Sequence, residues 1–281
     1  GIGYTEMAAV LGSGEIWLRV PETKRIEING ELPANVMSKD VILRIIGDLT
    51  AAGATYRALE FTGDTVEAMS LSSRMAMANM GIEAGAKCAL FAPDEKTAEY
   101  LGIELTDAER ALAGDADAPC EKVLRYRAED FVPVMALPSN VDHVAAIRDL
   151  EPVAIDQVFL GSCTNGRLED LMAAAEILKG KHIAPFVKLI VTPASRKIWE
   201  EAEANGTLAT LSAAGAMITH PSCGLCCGRT GGILSDGERV VATNNRNFLG
   251  RMGSSKVEIY LASPKSAAAS ALTGKLTEAA C

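Results

Sequence analysis

Three thiols fall within five positions of Pro221-Ser-Cys-Gly-Leu-Cys-Cys-Gly228, and a fourth stands in Val158-Phe-Leu-Gly-Ser-Cys-Thr-Asn-Gly166. Cys223 and Cys226 form a C-x-x-C turn, and Gly224 and Gly228 let the backbone wrap closely around whatever the thiols hold. Four chemistries compete for such a cluster. A structural zinc site wants four ligands, but a second C-x-x-C is missing, and His182 and His220, the nearest histidines, lack finger spacing. A redox dithiol sits early in a compact strand–helix–strand unit, not this deep in a chain. Free, buried thiols are the plainest reading. The fourth is an iron–sulfur cluster held by three thiolates instead of the usual four. That leaves one iron open as a Lewis acid toward a hydroxyl and a carboxylate. On this reading Cys163, Cys223 and Cys226 are the metal ligands. Cys227 is left out because adjacent side chains point apart on most backbones.

The elements around these residues alternate between strand and helix, which predicts an α/β fold. Asp156-Gln-Val-Phe-Leu160 reads as a strand, so Cys163 lies just past its C-terminal end, where ligands sit in open α/β sheets. The amides of that turn, the positive end of the next helix, and Thr164 and Asn165 all favour an anionic guest. Residues 186–195, 238–244 and 257–263 read as further strands. A closing helix carries Pro264 near its start and Gly274 at its end. Earlier, residues 1–20 read as a helix, and residues 24–32 as a hairpin turning at Asn29-Gly30. A helix capped by Ser38 shows the apolar stripe Val41, Ile42, Ile45, Ile46 and Leu49. Residues 64–87 predict one long helix, residues 88–93 a buried strand, and residues 94–130 a helix plus a connector. We expect three regions: 1–20, a remnant of an N-terminal domain; 21–130, a first α/β domain; and 131–281, a second carrying the cysteines.

Composition supports this. Hydrophobic residues make up 48% of 281 and aromatics only 5%, a mix of small aliphatics that suits α/β better than an all-β sandwich. The net charge of −9 argues against non-specific nucleic-acid binding, which needs basic patches. No apolar run is long enough for a membrane helix. Seven cysteines, an odd number with no secretory signal, predict a reducing, cytoplasmic setting.

Four blocks in order, FLGSCTNGRLEDL, HPSCGLCCG, ATNNRNFLGRMGS and EIYLASPKSAAASALTG, resemble the aconitase family, and most of all its isopropylmalate dehydratase and homoaconitase large subunits. The resemblance runs over nearly the whole chain. It implies aconitase-like three-layer α/β domains with mainly parallel sheets, and a hydro-lyase that isomerises a hydroxy di- or tricarboxylate by dehydration and rehydration at a 4Fe-4S cluster. Cys163, Cys223 and Cys226 match the family's cluster ligands. Asn245, Arg246 and Arg251 match the stretch that contacts cluster and substrate carboxylates, for which guanidinium forks are chemically suited. Read singly, the two arginines would be a solvated surface pair. Asn79 and Glu83, four apart and so on one helix face, match catalytic positions of another block, Ala78-Asn-Met-Gly-Ile-Glu-Ala-Gly-Ala86. A lone helical glutamate more often faces solvent, but small apolar neighbours predict a partly buried carboxyl suited to proton transfer.

The family also carries an earlier segment with Asp-Ser-His and His-Asp motifs, and a serine base on a swivelling domain that isopropylmalate dehydratases hold on a separate small subunit. Neither has a counterpart here. The resemblance therefore implies a small-subunit partner, a chain that begins after that segment, and little or no dehydratase activity from this chain alone. Leucine biosynthesis is the expected pathway, with a homoaconitase of lysine or coenzyme biosynthesis next. A zinc- or RNA-binding regulator on the same fold is the non-catalytic alternative, and the acidic charge weighs against RNA.

Overall fold

Val158, Leu160 and Val241 face one way from their strands, Phe159, Val240 and Ala242 face the other, and all are buried. Strands apolar on both faces must be covered on both sides, and that requirement sets the architecture. A computed structural model of the chain describes residues 2–115 and 117–280; Gly1, Ala116 and Cys281, the last of the cysteines, lie outside the described residues.

The chain opens with helix α1 (Tyr4–Ser13), which buries none of its side chains. Then follow β1 (Glu22–Asn29), α2 (Ser38–Leu49), β2 (Arg57–Thr62), α3 (Asp64–Ala68), α4 (Leu71–Met80), β3 (Cys88–Phe91), α5 (Glu95–Leu101), α6 (Asp107–Arg110) and β4 (Lys122–Arg127). These four strands form a parallel sheet in the order β3-β2-β1-β4. Next come β5 (Val134–Ala136), β6 (Val144–Ala146), β7 (Gln157–Gly161), α7 (Ser162–Asn165), α8 (Leu168–Leu178), β8 (Lys188–Thr192), α9 (Arg196–Ala204), α10 (Thr207–Ala213), β9 (Met217–Ile218), β10 (Arg239–Ala242), β11 (Glu258–Leu261) and α11 (Pro264–Thr273). They build a sheet ordered β6-β5-β11-β10-β7-β8-β9, parallel except for β5 and β6.

One apolar cluster joins the inner face of the small sheet (Ile26, Ile28, Leu59, Phe61) through α2 and α4 to Phe159, Val240 and Ile259 of the large sheet. A second joins the opposite face of the large sheet to α8, α10 and α11. The large sheet is thus the middle of three layers, in agreement with the mixed, mainly parallel α/β class the sequence implies. The stripe on α2 is buried as its spacing requires, with Val41, Ile42, Ile45 and Ile46 at 0% exposure. Each such side chain contributes about 1.5–3 kcal/mol of burial free energy. Among the described residues, no helix is long and apolar enough to cross a membrane.

Several local expectations fail, each for a physical reason. The hairpin at Asn29-Gly30 does not form, because β2 and β4 already occupy both edges of β1. The turn instead grips α3: the Gly30 amide donates to Asp64 Oδ1 at 2.8 Å and the Asp64 amide to Asn29 Oδ1 at 3.2 Å. The long helix over 64–87 breaks at Met69–Ser70, since Ser70 Oγ accepts from the Ser73 amide and caps α4. The helix over 1–20 ends at Ser13, where Gly14 adopts the left-handed conformation. Met37, not Ser38, occupies the cap of α2, and Asp40 accepts the Met37 amide at 2.8 Å. β3 is a half-exposed edge strand, not a buried one. The connector after α6 returns to the sheet as β4, which the charged run Lys122-Val-Leu-Arg-Tyr-Arg127 concealed.

Candidate functional site

The C-terminal ends of β10, β7 and β8 lie side by side, and the crevice beyond such ends is where open α/β sheets take ligands. At the end of β7 the chain turns sharply: Gly161 has φ +148° and Ser162 φ +79° before the short helix α7. The turn lifts Cys163 out of the core into an exposed position. The second cysteine stretch arrives beyond β9 as a tight 3-10 turn, Gly224–Cys227, closed by left-handed Gly228. Cys163, Cys223 and Cys226 then share one pocket of about 260 Å³ with Ser162, Pro193 and Ala194. Cys227 is off this wall and directs its thiol to the Gly224 carbonyl at 3.5 Å. None of the described cysteines is in a disulfide.

The donor set suits a multi-iron cluster. Bonding to Cys227, burial and the neighbouring thiols Cys226 and Cys227 push the Cys223 thiol up to about 11. Clustered thiols resist losing protons together, and a soft cationic centre among them removes that conflict. Among the described residues, no group of three or more His, Cys, Asp and Glu side chains is disposed to hold a single metal ion. A zinc ion would need its ligands about 2.3 Å from one centre. A four-iron cluster binds each thiolate at a different corner and needs them farther apart. Three soft thiols lining one pocket are the donor type such a cluster takes. His182 and His220 are exposed, and His220 stacks on Trp199 at 6.1 Å.

Asn79, Asn245 and Arg251 bond to the cysteines or the Cys163 turn, and Glu83 and Arg246 pair with each other next along the chain. Asn79, near the end of α4, donates to Cys163 Sγ at 3.4 Å and accepts from Asn245 Nδ2 at 2.9 Å. Thr164 Oγ1 donates to Asn245 Oδ1, closing the chain back to the Cys163 turn. Glu83 lies on the 3-10 turn Gly81–Ala84 that extends α4; its side chain is 12% exposed and pairs with Arg246 Nε at 2.8 Å. Its partly buried position agrees with the sequence reading, but its neighbour is a guanidinium, not an apolar wall. Arg246 and Arg251 do not form a surface pair. Arg251 turns to the second cysteine stretch, with Nε on the Cys226 carbonyl at 2.6 Å, Nη2 3.7 Å from Cys226 Sγ, and its guanidinium over the Phe248 ring. Asn165, read from sequence as a donor to a ligand, is buried and donates to Asp170 Oδ1 at 3.1 Å.

Sequence reasoning missed Lys39. It is fully buried, at 0% exposure, and its ammonium donates to the carbonyls of Thr243 and Asn244 at 3.1 and 2.7 Å, just before Asn245 and Arg246. Burial pushes this lysine down, against the pull of Asp170, Cys226, Glu83 and Asp40. Between Ser38 and Asp40, at the start of a helix, it reads as an ordinary solvated charge, and its partners lie about two hundred residues away.

The Cys163 turn depends on Gly161, where an added methyl would run into the Thr192 carbonyl of β8 at a φ that side chains rarely adopt. Gly161→Ala should therefore lower stability by about 2–3 kcal/mol and weaken metal retention. Thermal unfolding and iron content check this; a variant with unchanged midpoint and iron would show that the turn tolerates a side chain.

A family model described as the aconitase family (aconitate hydratase) matches residues 1–154 and 146–274. The chain is 50% identical over 278 residues to "3-isopropylmalate dehydratase large subunit 1" of Methanopyrus kandleri, covering 99% of this chain and 66% of that protein. It is 46% identical over 279 residues to "3-isopropylmalate dehydratase large subunit 2" of Archaeoglobus fulgidus, covering 99% and 67%. It is 47% identical over 277 residues to "Probable 3-isopropylmalate dehydratase large subunit" of Methanothermobacter thermautotrophicus, covering 99% and 66%. The chain thus spans about two thirds of the length of these relatives.

Proposed function

The chain belongs to the aconitase family, and from that premise we propose that it is the cluster-holding part of a hydro-lyase large subunit of the 3-isopropylmalate dehydratase type, acting in leucine biosynthesis. One observation carries the reading: three thiols from two distant parts of the chain share one pocket, and Asn79, Asn245 and Arg251 bond to the thiols or their turns, with the Glu83–Arg246 ion pair beside Asn245.

Cys163, Cys223 and Cys226 would hold a 4Fe-4S cluster. When bound, the cluster supplies one open iron as a Lewis acid toward the substrate's hydroxyl and carboxylate. Arg246 uses Nε on Glu83, so its terminal nitrogens are available to grip a carboxylate of the substrate in a bidentate way. Glu83, held by that same ion pair, would give the departing hydroxyl a proton so that it leaves as water, and take the proton back on rehydration. The amides of Asn79 and Asn245, bonded to each other and to the Cys163 turn, orient the substrate's hydroxyl. Arg251 ties down the backbone of the Cys226 turn and adds positive charge beside the sulfur.

The partner is a small subunit, as the "large subunit" names of the relatives suggest. It would complete the active site. The test is turnover in the assembled enzyme, anaerobically reconstituted, with isopropylmalate-, homocitrate- and citrate-type acids compared by kcat/KM. The reading predicts preference for the isopropyl-bearing diacid. Preference for the longer tricarboxylate would move the enzyme to the homoaconitase branch, and no turnover of any of the three would contradict a dehydratase.

A further inference from the structure

A fully buried ammonium is costly unless its protons are used, and a methionine would fill the same space without that cost. Lys39 therefore needs a role that an apolar side chain cannot perform. Its two acceptors supply one. Ala242 is the last residue of β10 whose carbonyl stays in the sheet, taking the Ala262 amide at 3.0 Å. The next two carbonyls, of Thr243 and Asn244, have left the ladder in the interior and need donors. Lys39 supplies both, at 3.1 and 2.7 Å. Thr243 is in turn locked to the end of β7, its Oγ1 taking the Gly161 amide at 2.8 Å and its own amide bonding the Phe159 carbonyl at 3.0 Å. Asn245 and Arg246 follow directly, and from there reach Asn79 and Glu83.

We propose that Lys39 is a positioning residue: its buried ammonium, sent from the start of α2, fixes the Thr243–Asn244 backbone and so aims Asn245 and Arg246 into the site. A single node then links α2, the end of β10 and, through Thr243, the Gly161–Cys163 turn. The consequence for turnover rests on the functional reading above; the positional claim does not.

Lys39→Met tests it. Read on the metal-free chain, exchange of the Thr243 amide, bonded to the Phe159 carbonyl, and of the Gly161 amide, bonded to Thr243 Oγ1, should speed up at least tenfold, while the other amides of β7 stay protected. In the assembled enzyme, iron per chain should be retained and kcat/KM should fall roughly 10²-fold, the scale of an ångström-sized misplacement. Unchanged protection at Thr243 and Gly161 overturns the positional claim. Faster exchange there with unchanged kcat/KM overturns its functional part. Should the variant not fold, the wild-type chain still decides: scalar coupling across hydrogen bonds from Lys39 Nζ to the carbonyl carbons of Thr243 and Asn244 supports the node, and its absence overturns it. Wild-type protein without iron or turnover would sink the cluster reading and leave the exchange result standing, so the two failures are separable.

Discussion

Cys163→Ala is expected to leave the chain folded, strip it of iron and take turnover in the assembled enzyme to background. The argument turns on where each thiol sits. Cys163 and Cys223 are exposed at the crevice, so truncating either removes little buried apolar surface, and surface changes of this kind cost within about 0.5 kcal/mol. Cys226 is different, because it packs against the core that joins the two sheets. Cys226→Ala would mix lost packing with lost ligation and could not be read cleanly. Among the described residues, the Cys163 thiol has as polar partners the Asn79 amide at 3.4 Å and a weak contact to Thr164 at 4.0 Å. Asn79 keeps Asn245 after the substitution. Iron, acid-labile sulfide and the thermal midpoint should therefore separate: the first two lost, the third unmoved. A Cys163→Ala protein with full iron and turnover would mean that this thiolate is not a ligand.

Glu83→Gln is expected to lower kcat by roughly 10²–10⁴-fold, the usual worth of a positioned general acid or base, with iron content unchanged. The amide keeps the shape and can still accept a hydrogen bond from Arg246 Nε, but it cannot carry a proton. The ion pair raises a competing role, in which Glu83 only orients the guanidinium. The two roles separate in the kinetics. Loss of proton transfer lowers kcat with KM nearly constant, whereas a misaimed arginine raises KM and spares kcat. The second pattern would reassign Glu83 as an orienting partner of Arg246.

Much of this arrangement was legible in the sequence because it obeys short-range rules. The α2 stripe, the Pro264-to-Gly274 helix and the apolar runs of β7, β8, β10 and β11 follow periodicity and capping, and each lies where its pattern puts it. Cys163, Cys223 and Cys226, singled out by their spacing, line one pocket, and beside it Asn245 bonds Thr164 and Arg251 bonds the Cys226 carbonyl. Some failures were local, as at the Ser70 cap and at left-handed Gly14; others were decided at long range. Asn29-Gly30 is a good hairpin turn, but β1 had two parallel neighbours from later in the chain. Lys122–Arg127 is too charged to read as a strand, and it is one only because an open edge of β1 lies beside it. The partners of Arg246, Arg251 and Lys39 are set by the meeting of α4, α2 and the end of β10, which no local window contains. Asp40 is similar. It accepts the Val134 amide at 3.1 Å, across the join between the two sheets, and burial pushes its carboxyl up against the pull of that amide and the Met37 amide.

The proposed function requires three thiolates to share one inorganic body with an open corner. Mössbauer spectroscopy of anaerobically reconstituted, iron-57-labelled protein, with sulfide counted on the same sample, tests this most directly. The predicted result is about four irons and four sulfides per chain, with one iron signal shifting when the hydroxy-acid is added and the others fixed. One zinc per chain with no sulfide, or a cluster whose irons all ignore the acid, would contradict it.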